Sequence, residues 1–374
     1  MKLSVIIVNY NVRYYVEQCI NSVERATRNI EKEIFVFDNH SKDNSVEFLR
    51  RRFGQRIHLI ESNHNLGFAR ANNKAIKQST GEYILLLNPD TIVGEDSLQQ
   101  VITFMDEHPD AGGVGVMMHN PDGTIAKESR RAIPTPFISM LKMLGFSKRY
   151  YMSHLSWDKP EQIEVISGAF CMVRHSVLDM IGMLDKDYFM YGEDIDLSYR
   201  ILKGGYQNWY LPAHILHYKG ESTQKSSYRY VHVFYQAMLI FFRKHFGHIS
   251  LLFALPIKAA IYLRAIIALI GMQYFRMQLS LGLDYIKEGN LQYCFVGSLP
   301  MLEEGRQLSL RKGLDSVFIE NLENVPACDV LVFDTDTYSY EDIFAYVRTH
   351  PGKYVIGTFS RINRVLITPK EIIK

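Results

Sequence analysis

Four short apolar runs, Leu3–Val8, Glu33–Phe37, Ile57–Ile60 and Tyr83–Leu87, alternate with three segments of helical spacing at the start of the chain. The helical segments are Tyr14–Ala26, with Tyr15, Cys19, Ile20 and Val23 on one face, then Ser45–Arg52 and Gly67–Lys77. Strand and helix alternating in such short units predict an α/β fold, a parallel sheet with helices on both faces and right-handed connections. Ligands of such sheets bind beyond the carboxyl ends of the strands. Asp38 ends the second run and Asn88-Pro89-Asp90 ends the fourth, so both groups belong to one rim. Pro89 stops its strand and holds Asp90 at the crevice. Asp43, just before Ser45–Arg52, reads as a helix cap.

Three further clusters carry chemistry. In NHNLGFARANN, Asn65, Gly67 and Arg70 open a helix at the same rim, where a phosphate is favoured and Arg70 can pair with an anionic diphosphate. In FMYGEDIDLSYR, Glu193, Asp194 and Asp196 crowd the start of a helix, Asp194–Leu202. The helix dipole accounts for one acid there. Another, desolvated by Phe189, Met190 and Tyr191, is placed to act as a general base. Ser167-Gly168-Ala169 offers a small-residue floor for an acceptor. A hard cation, Mg²⁺ or Mn²⁺, wants oxygen ligands and keeps waters and substrate phosphate oxygens. Asp90 is its first candidate ligand and His217 the second, while His214 reads as structural.

The chain has 374 residues, room for more than one domain, and 47% hydrophobic content, enough for a sizeable core. A net charge of +2 carries no footprint of nucleic-acid binding, so no nucleic-acid partner is expected. The four cysteines form no CxxC pair and read as reduced core thiols. The N-terminus passes directly into a strand, and a cytoplasmic location is expected. Three parts are expected: 1–246, 247–289 and 290–374. Within the first, Gly113–Met118 reads as a strand and Phe146–Trp157 as a loop or lid over a site. Helical spacing at Tyr228–Phe246 leads into Ile249–Leu283, a hydrophobic stretch broken by Lys258, Arg264 and Arg276. It is too interrupted to span a bilayer and reads as amphipathic helices lying on an anionic membrane, at its cytoplasmic face. The tail alternates strands Tyr293–Val296, Val317–Ile319, Val330–Phe333 and Tyr354–Gly357 with a helix at Tyr340–Thr349, a small Rossmann-like unit. It has no GxGxxG, so dinucleotide binding is not expected, and its Asp334-Thr335-Asp336 reads as structural or regulatory.

SVIIVNYN, VFDNHSKDNS, NLGFARANN, LLLNPDT, GAFCMVRHSVLDMIGMLD, YGEDIDLSYR and HYKGES occur in the order found in family 2 glycosyltransferases of the GT-A fold, and most resemble the bacterial rhamnosyltransferase-like members. The resemblance covers about residues 1–240. It implies an inverting transferase that uses a nucleotide-diphosphate sugar and a divalent metal; a glycan or lipid-linked acceptor is expected from the basic, hydrophobic helices. It places Asp38 at the nucleobase or ribose and Asp90 as the surviving acid of the DXD motif; Asn9, Asn65, Gly67, Arg70 and Asn88 are read with them on the donor side. Asp90 and His217 become the metal ligands, with Asn88 standing where relatives carry the first DXD aspartate. Asp194 becomes the base, and Glu193, Gly168 and Ala169 the acceptor side. Two rival readings are a nucleotidyltransferase, disfavoured by the glycine-free NYNVRYY after the first strand, and a non-catalytic transferase-like scaffold.

Overall fold

The computed structural model describes residues 1–219, 228–247 and 291–374, with positions 266, 270, 271, 273, 274 and 277. Most of 247–289, the segment expected to form amphipathic helices, lies outside the described residues. Among the described residues no helix is long and apolar enough to cross a membrane.

The first part is built on strands β1 (Leu3–Asn9), β2 (Lys32–Asp38), β3 (His58–Glu61), β4 (Tyr83–Leu87), β5 (Thr91–Val93), β6 (Ala111–His119), β7 (Glu161–Ile163), β8 (Phe170–Arg174) and β9 (Gln207–His217). They form one sheet in the order β3-β2-β1-β4-β8-β6-β9-β5, with β7 also paired to β9. Helices α1 (Arg13–Ala26), α2 (Ser45–Phe53), α3 (Phe68–Ile76), α4 (Ser97–Glu107), α5 (Pro136–Met143), α6 (His175–Ile181), α7 (Glu193–Lys203) and α8 (Tyr228–His245) accompany it. β1 is buried at every position, as a strand covered on both faces requires.

The sheet is mixed rather than parallel. β8 runs antiparallel between β4 and β6, and β5 and β7 run antiparallel to β9. The four strands from which a parallel sheet was expected, β1 to β4, do pair parallel, and the antiparallel strands are added beside them. Asp43 ties two helix starts together instead of occupying the cap. Its carboxylate accepts from Arg13 N at 3.1 Å and Ser45 N at 3.2 Å, while Asn44 is the N-cap.

The tail forms a second sheet from β10 (Gln292–Val296), β11 (Asp315–Ile319), β12 (Val330–Asp334), β13 (Val355–Ser360), β14 (Val365–Ile367) and β15 (Ile372–Ile373), in the order β11-β10-β12-β13-β14-β15. Helices α9 (Leu299–Lys312) and α10 (Tyr340–Thr349) complete it. A Rossmann-like sheet would bind phosphate beyond β10, at the order reversal. Here Asp334 fills that place, accepting from Ser298 N at 3.1 Å, Ser298 Oγ at 2.6 Å and Thr337 Oγ1 at 2.8 Å. Gly297 lets it approach, since a Cβ there would lie 2.2 Å from the Asp334 Cβ.

The two sheets share one hydrophobic core. Val12, Tyr15, Ile92, Leu216 and Tyr218 from the first pack with Phe333, Ile343, Phe344 and Ile356 from the second. Hydrogen bonds reinforce the junction: Tyr15 Oη donates to Thr368 O at 2.6 Å, and both Glu95 oxygens accept from the α10 N-terminus, Tyr340 N and Glu341 N, at 3.0 Å. A shared core predicts joint unfolding. Phe344→Ala removes a side chain that is 1% exposed and should destabilise by about 3–5 kcal/mol. Urea denaturation followed by far-ultraviolet circular dichroism should show the whole transition shifting to lower urea. A separate early transition for the tail alone would contradict the shared core.

Candidate active site

The carboxyl ends of β1 and β4 and the start of α7 converge on one cleft of about 440 Å³. Asn39, Asn65, Gly67, Asn88, Asp90, Arg131, Gly168, Ala169, Glu193, Asp194, His217 and Lys219 all line it. Residues far apart in sequence therefore meet in one chamber.

Asp194 is firmly held. Its Oδ2 accepts from Arg131 Nη2 at 2.5 Å and Gly168 N at 3.2 Å, and its Oδ1 from Ile195 N at 2.8 Å. The backbone before it is bent by Tyr191 at φ 67° and Gly192 at φ 82°. Gly192 is also needed for space: a Cβ would lie 3.1 Å from the Tyr188 ring. Burial works against the charge on Arg131, but Asp194 and Tyr150 outweigh it and the guanidinium is held more firmly protonated than usual. Glu193 lies beside this pair with only 6% exposure. Burial first, and the Asp194 charge second, push it up to about 8. At neutral pH Glu193 is therefore an uncharged carboxyl. Its Oε2 has no hydrogen-bond partner among the described residues. Asp196, the third acid, accepts from Arg200 Nε at 2.7 Å and lies 2.7 Å from His245 Nε2. It ties α7 to α8 and does not line the cleft.

Asp90 and His217 form the second cluster. β5 and β9 pair antiparallel with Thr91 opposite His217, and Tyr218 N donates to Asp90 O at 3.0 Å. That pairing brings His217 Nε2 to 3.3 Å from Asp90 Oδ1, with Asn88 Nδ2 also at 3.3 Å. The two side chains are 3% and 14% exposed. Among the described residues no group of three or more His, Cys, Asp or Glu side chains gathers as a metal site. One carboxylate and one imidazole at the mouth of a cleft suit a divalent ion whose other ligands come from a substrate diphosphate and water.

Elsewhere in the cleft, Asn65 Oδ1 accepts from Asn39 Nδ2 and Gly67 N, both at 2.9 Å. Gly67, at φ 78°, is fixed by close approach, since a Cβ would lie 2.5 Å from Phe189 O. The first helical N–H of α3 is already used there, Phe68 N donating to Phe189 O at 2.7 Å. Asn9 and Asp38 lie behind the cleft wall and bond to each other at 2.8 Å, with Asp38 also accepting from Ser41 N at 2.9 Å. They shape the loop that presents Asn39. Arg70 does not line the cleft: the turn of α3 carries it outward, exposed, with Nε on Lys186 O at 3.2 Å. The basic groups of the cleft are Arg131, Lys142 and Lys219, none of which the sequence reading singled out. Lys219 follows His217 by two residues, and that proximity was the one available signal. His214 is outside the cleft, 3.0 Å from His119 Nε2 and 3.3 Å from Arg348.

Residues 4–182 match the family described as Glycosyl transferase family 2. Those residues, just under half of the chain, form a glycosyltransferase domain similar to that family, with the GT-A class of fold. Over 258 residues it is 27% identical to N-acetylglucosaminyl-diphospho-decaprenol L-rhamnosyltransferase of Mycobacterium tuberculosis, covering 64% of this chain and 83% of that protein. Over 204 residues it is 28% identical to poly-beta-1,6-N-acetyl-D-glucosamine synthase of Staphylococcus aureus, covering 54% of this chain but 46% of the synthase. Among solved structures, it is similar to the Pyrobaculum calidifontis mannosyltransferase in complex with GDP-Man and Mn²⁺, with a TM-score of 0.46 at 18% identity over 83% of this chain and 81% of that one.

The raised Glu193 has a consequence for stability. A buried carboxyl lifted from 4.5 to about 8 opposes folding increasingly as pH rises through that window, because the unfolded chain releases the proton first. The stability of Glu193→Gln relative to the unsubstituted protein should therefore rise from about pH 4.5 to about pH 8 and level off above. Urea midpoints across that range read the difference. A difference independent of pH would show that Glu193 titrates like an exposed carboxyl.

Proposed function

We propose that this chain is an inverting transferase that moves a sugar from a nucleotide-diphosphate sugar, dTDP-rhamnose or a UDP-sugar, to a hydroxyl of a glycan or lipid-linked acceptor in cell-surface polysaccharide synthesis. The observation that carries the reading is that Asp194 and the Asp90–His217 pair line one cleft. The mycobacterial relative is named for a lipid-diphosphate-linked acceptor, which supports an acceptor of that class. Work at the cytoplasmic face of a membrane follows from such an acceptor.

Asp194 is the base. Arg131, Gly168 N and Ile195 N hold its carboxylate in one orientation before the acceptor arrives. It takes the acceptor hydroxyl proton as that oxygen bonds to the anomeric carbon, while the bond from that carbon to the diphosphate breaks. One displacement inverts the centre and needs no covalent enzyme intermediate. Glu193, uncharged at neutral pH, is available as a hydrogen-bond donor to the acceptor. Lys219, rather than Arg70, provides positive charge for the diphosphate. Asp90 and His217 would hold Mg²⁺ or Mn²⁺, which when bound neutralises charge on the leaving diphosphate.

Donor hydrolysis and binding across a panel of nucleotide sugars test this. Asp194→Asn should bind the preferred donor as before and lose about 10²–10⁴-fold in turnover. Asp90→Ala should lose metal-dependent donor binding. Folded protein that bound no nucleotide sugar would contradict the reading and favour a scaffold.

A further inference from the structure

We infer that the segment 136–149 is the surface by which this protein docks on an anionic lipid bilayer, beside the acceptor side of the cleft. This rests on the lipid-linked acceptor proposed above and gives it a place of entry.

α5 is held to the body by one face. Ile138 is buried and packs with Ala132 and Tyr150. The other face carries Phe137, Met140 and Leu144 at helical spacing, 51%, 42% and 65% exposed, and Phe146 follows at 67%. Four large apolar side chains standing together in water are costly, and such patches mark contact surfaces. Single exposed apolar residues would need no explanation, but these share one face and the turn after it.

Charge selects the partner. No aspartate or glutamate occurs between Glu128 and Asp158, while Lys142, Lys148 and Arg149 fall within it. Lys148 and Arg149 are exposed, and the Arg149 guanidinium lies 5.9 Å from the Phe137 ring. Apolar side chains flanked by cations, with no acid near in sequence, match the acyl boundary and headgroups of an anionic bilayer.

Position supplies the function. Lys142, Tyr150 and Tyr151 continue directly from this patch and line the cleft that holds Asp194. Thr135 caps α5, accepting from Ile138 N at 3.2 Å, and Arg131 four residues earlier grips Asp194. One continuous segment thus runs from the membrane-facing side chains to the base. A hydroxyl on a lipid-anchored sugar at the bilayer surface would lie at the mouth of the cleft.

The test compares the unsubstituted protein with a triple variant, Phe137→Ser, Leu144→Ser and Phe146→Ser, none of which lines the cleft. Vesicles of phosphatidylcholine with and without phosphatidylglycerol are sedimented with each protein at low and high salt. The unsubstituted protein should bind the anionic vesicles, less so at high salt. The triple variant should lose at least about tenfold in apparent affinity. Its donor hydrolysis should be unchanged, which shows that it is folded. Vesicle binding equal to the unsubstituted protein would overturn the inference and place any membrane contact elsewhere. Absence of binding by both proteins, with a dimer that the triple variant dissociates, would overturn it in favour of a second copy. Neither outcome touches the transfer chemistry, which the donor panel tests separately.

Discussion

The ion pair between Arg131 and Asp194 holds one side of the cleft together. The two side chains are 11% and 16% exposed. A buried pair broken on one side typically leaves a stranded charge costing about 3–5 kcal/mol. Three segments meet at it: the loop that carries Arg131, the Ser167–Ala169 turn before β8, and the first turn of α7. Arg131 Nη2 also donates to Ile166 O at 2.9 Å, so the same guanidinium fixes the small-residue floor. The carboxylate proposed to take the proton is therefore positioned by an ion pair in the cleft. Its neighbour Glu193 stays uncharged at neutral pH first because it is buried and second because Asp194 carries a negative charge beside it.

The second sheet supports the other side of the cleft. Tyr218 is 2% exposed, with its ring 5.4 Å from Tyr15 in the core that both sheets share. Its own N–H reaches back to Asp90 O, and His217 precedes it in the chain. The Asp90–His217 pair is thus held between β5 and β9 in front and the tail behind. Asp334 fills its own phosphate position, so the tail reads as a buttress. Packing of this kind transmits strain, because protein interiors are dense and yield little.

Much of this was legible in the chain because local rules and tertiary structure agree. Tyr83–Leu87 and Tyr340–Thr349 fall where periodicity places them, and β1 and α1 differ from their expected bounds by a residue. The cleft residues Asp90, Asp194, Gly168 and His217 were found because strand ends and helix starts concentrate chemistry. What was missed depends on partners remote in sequence. β8 runs antiparallel for reasons of packing. Ser97–Glu107 was not recognised as α4, and Arg131 gains its meaning only from Asp194, 63 residues away. Arg70 was misplaced because a position at the rim does not fix which way a helical side chain points. Asp38 is at the expected rim, but its carboxylate is turned to Asn9 and the Ser41 backbone.

A single displacement promoted by Asp194, as proposed, would leave a stereochemical record. With the preferred donor and its acceptor in hand, proton and carbon nuclear magnetic resonance of the first-formed product reads the anomeric configuration of the new linkage. A configuration opposite to that of the donor is the predicted result. Retention of the donor configuration would require two displacements or a front-face path, and would contradict Asp194 as the base of a direct transfer.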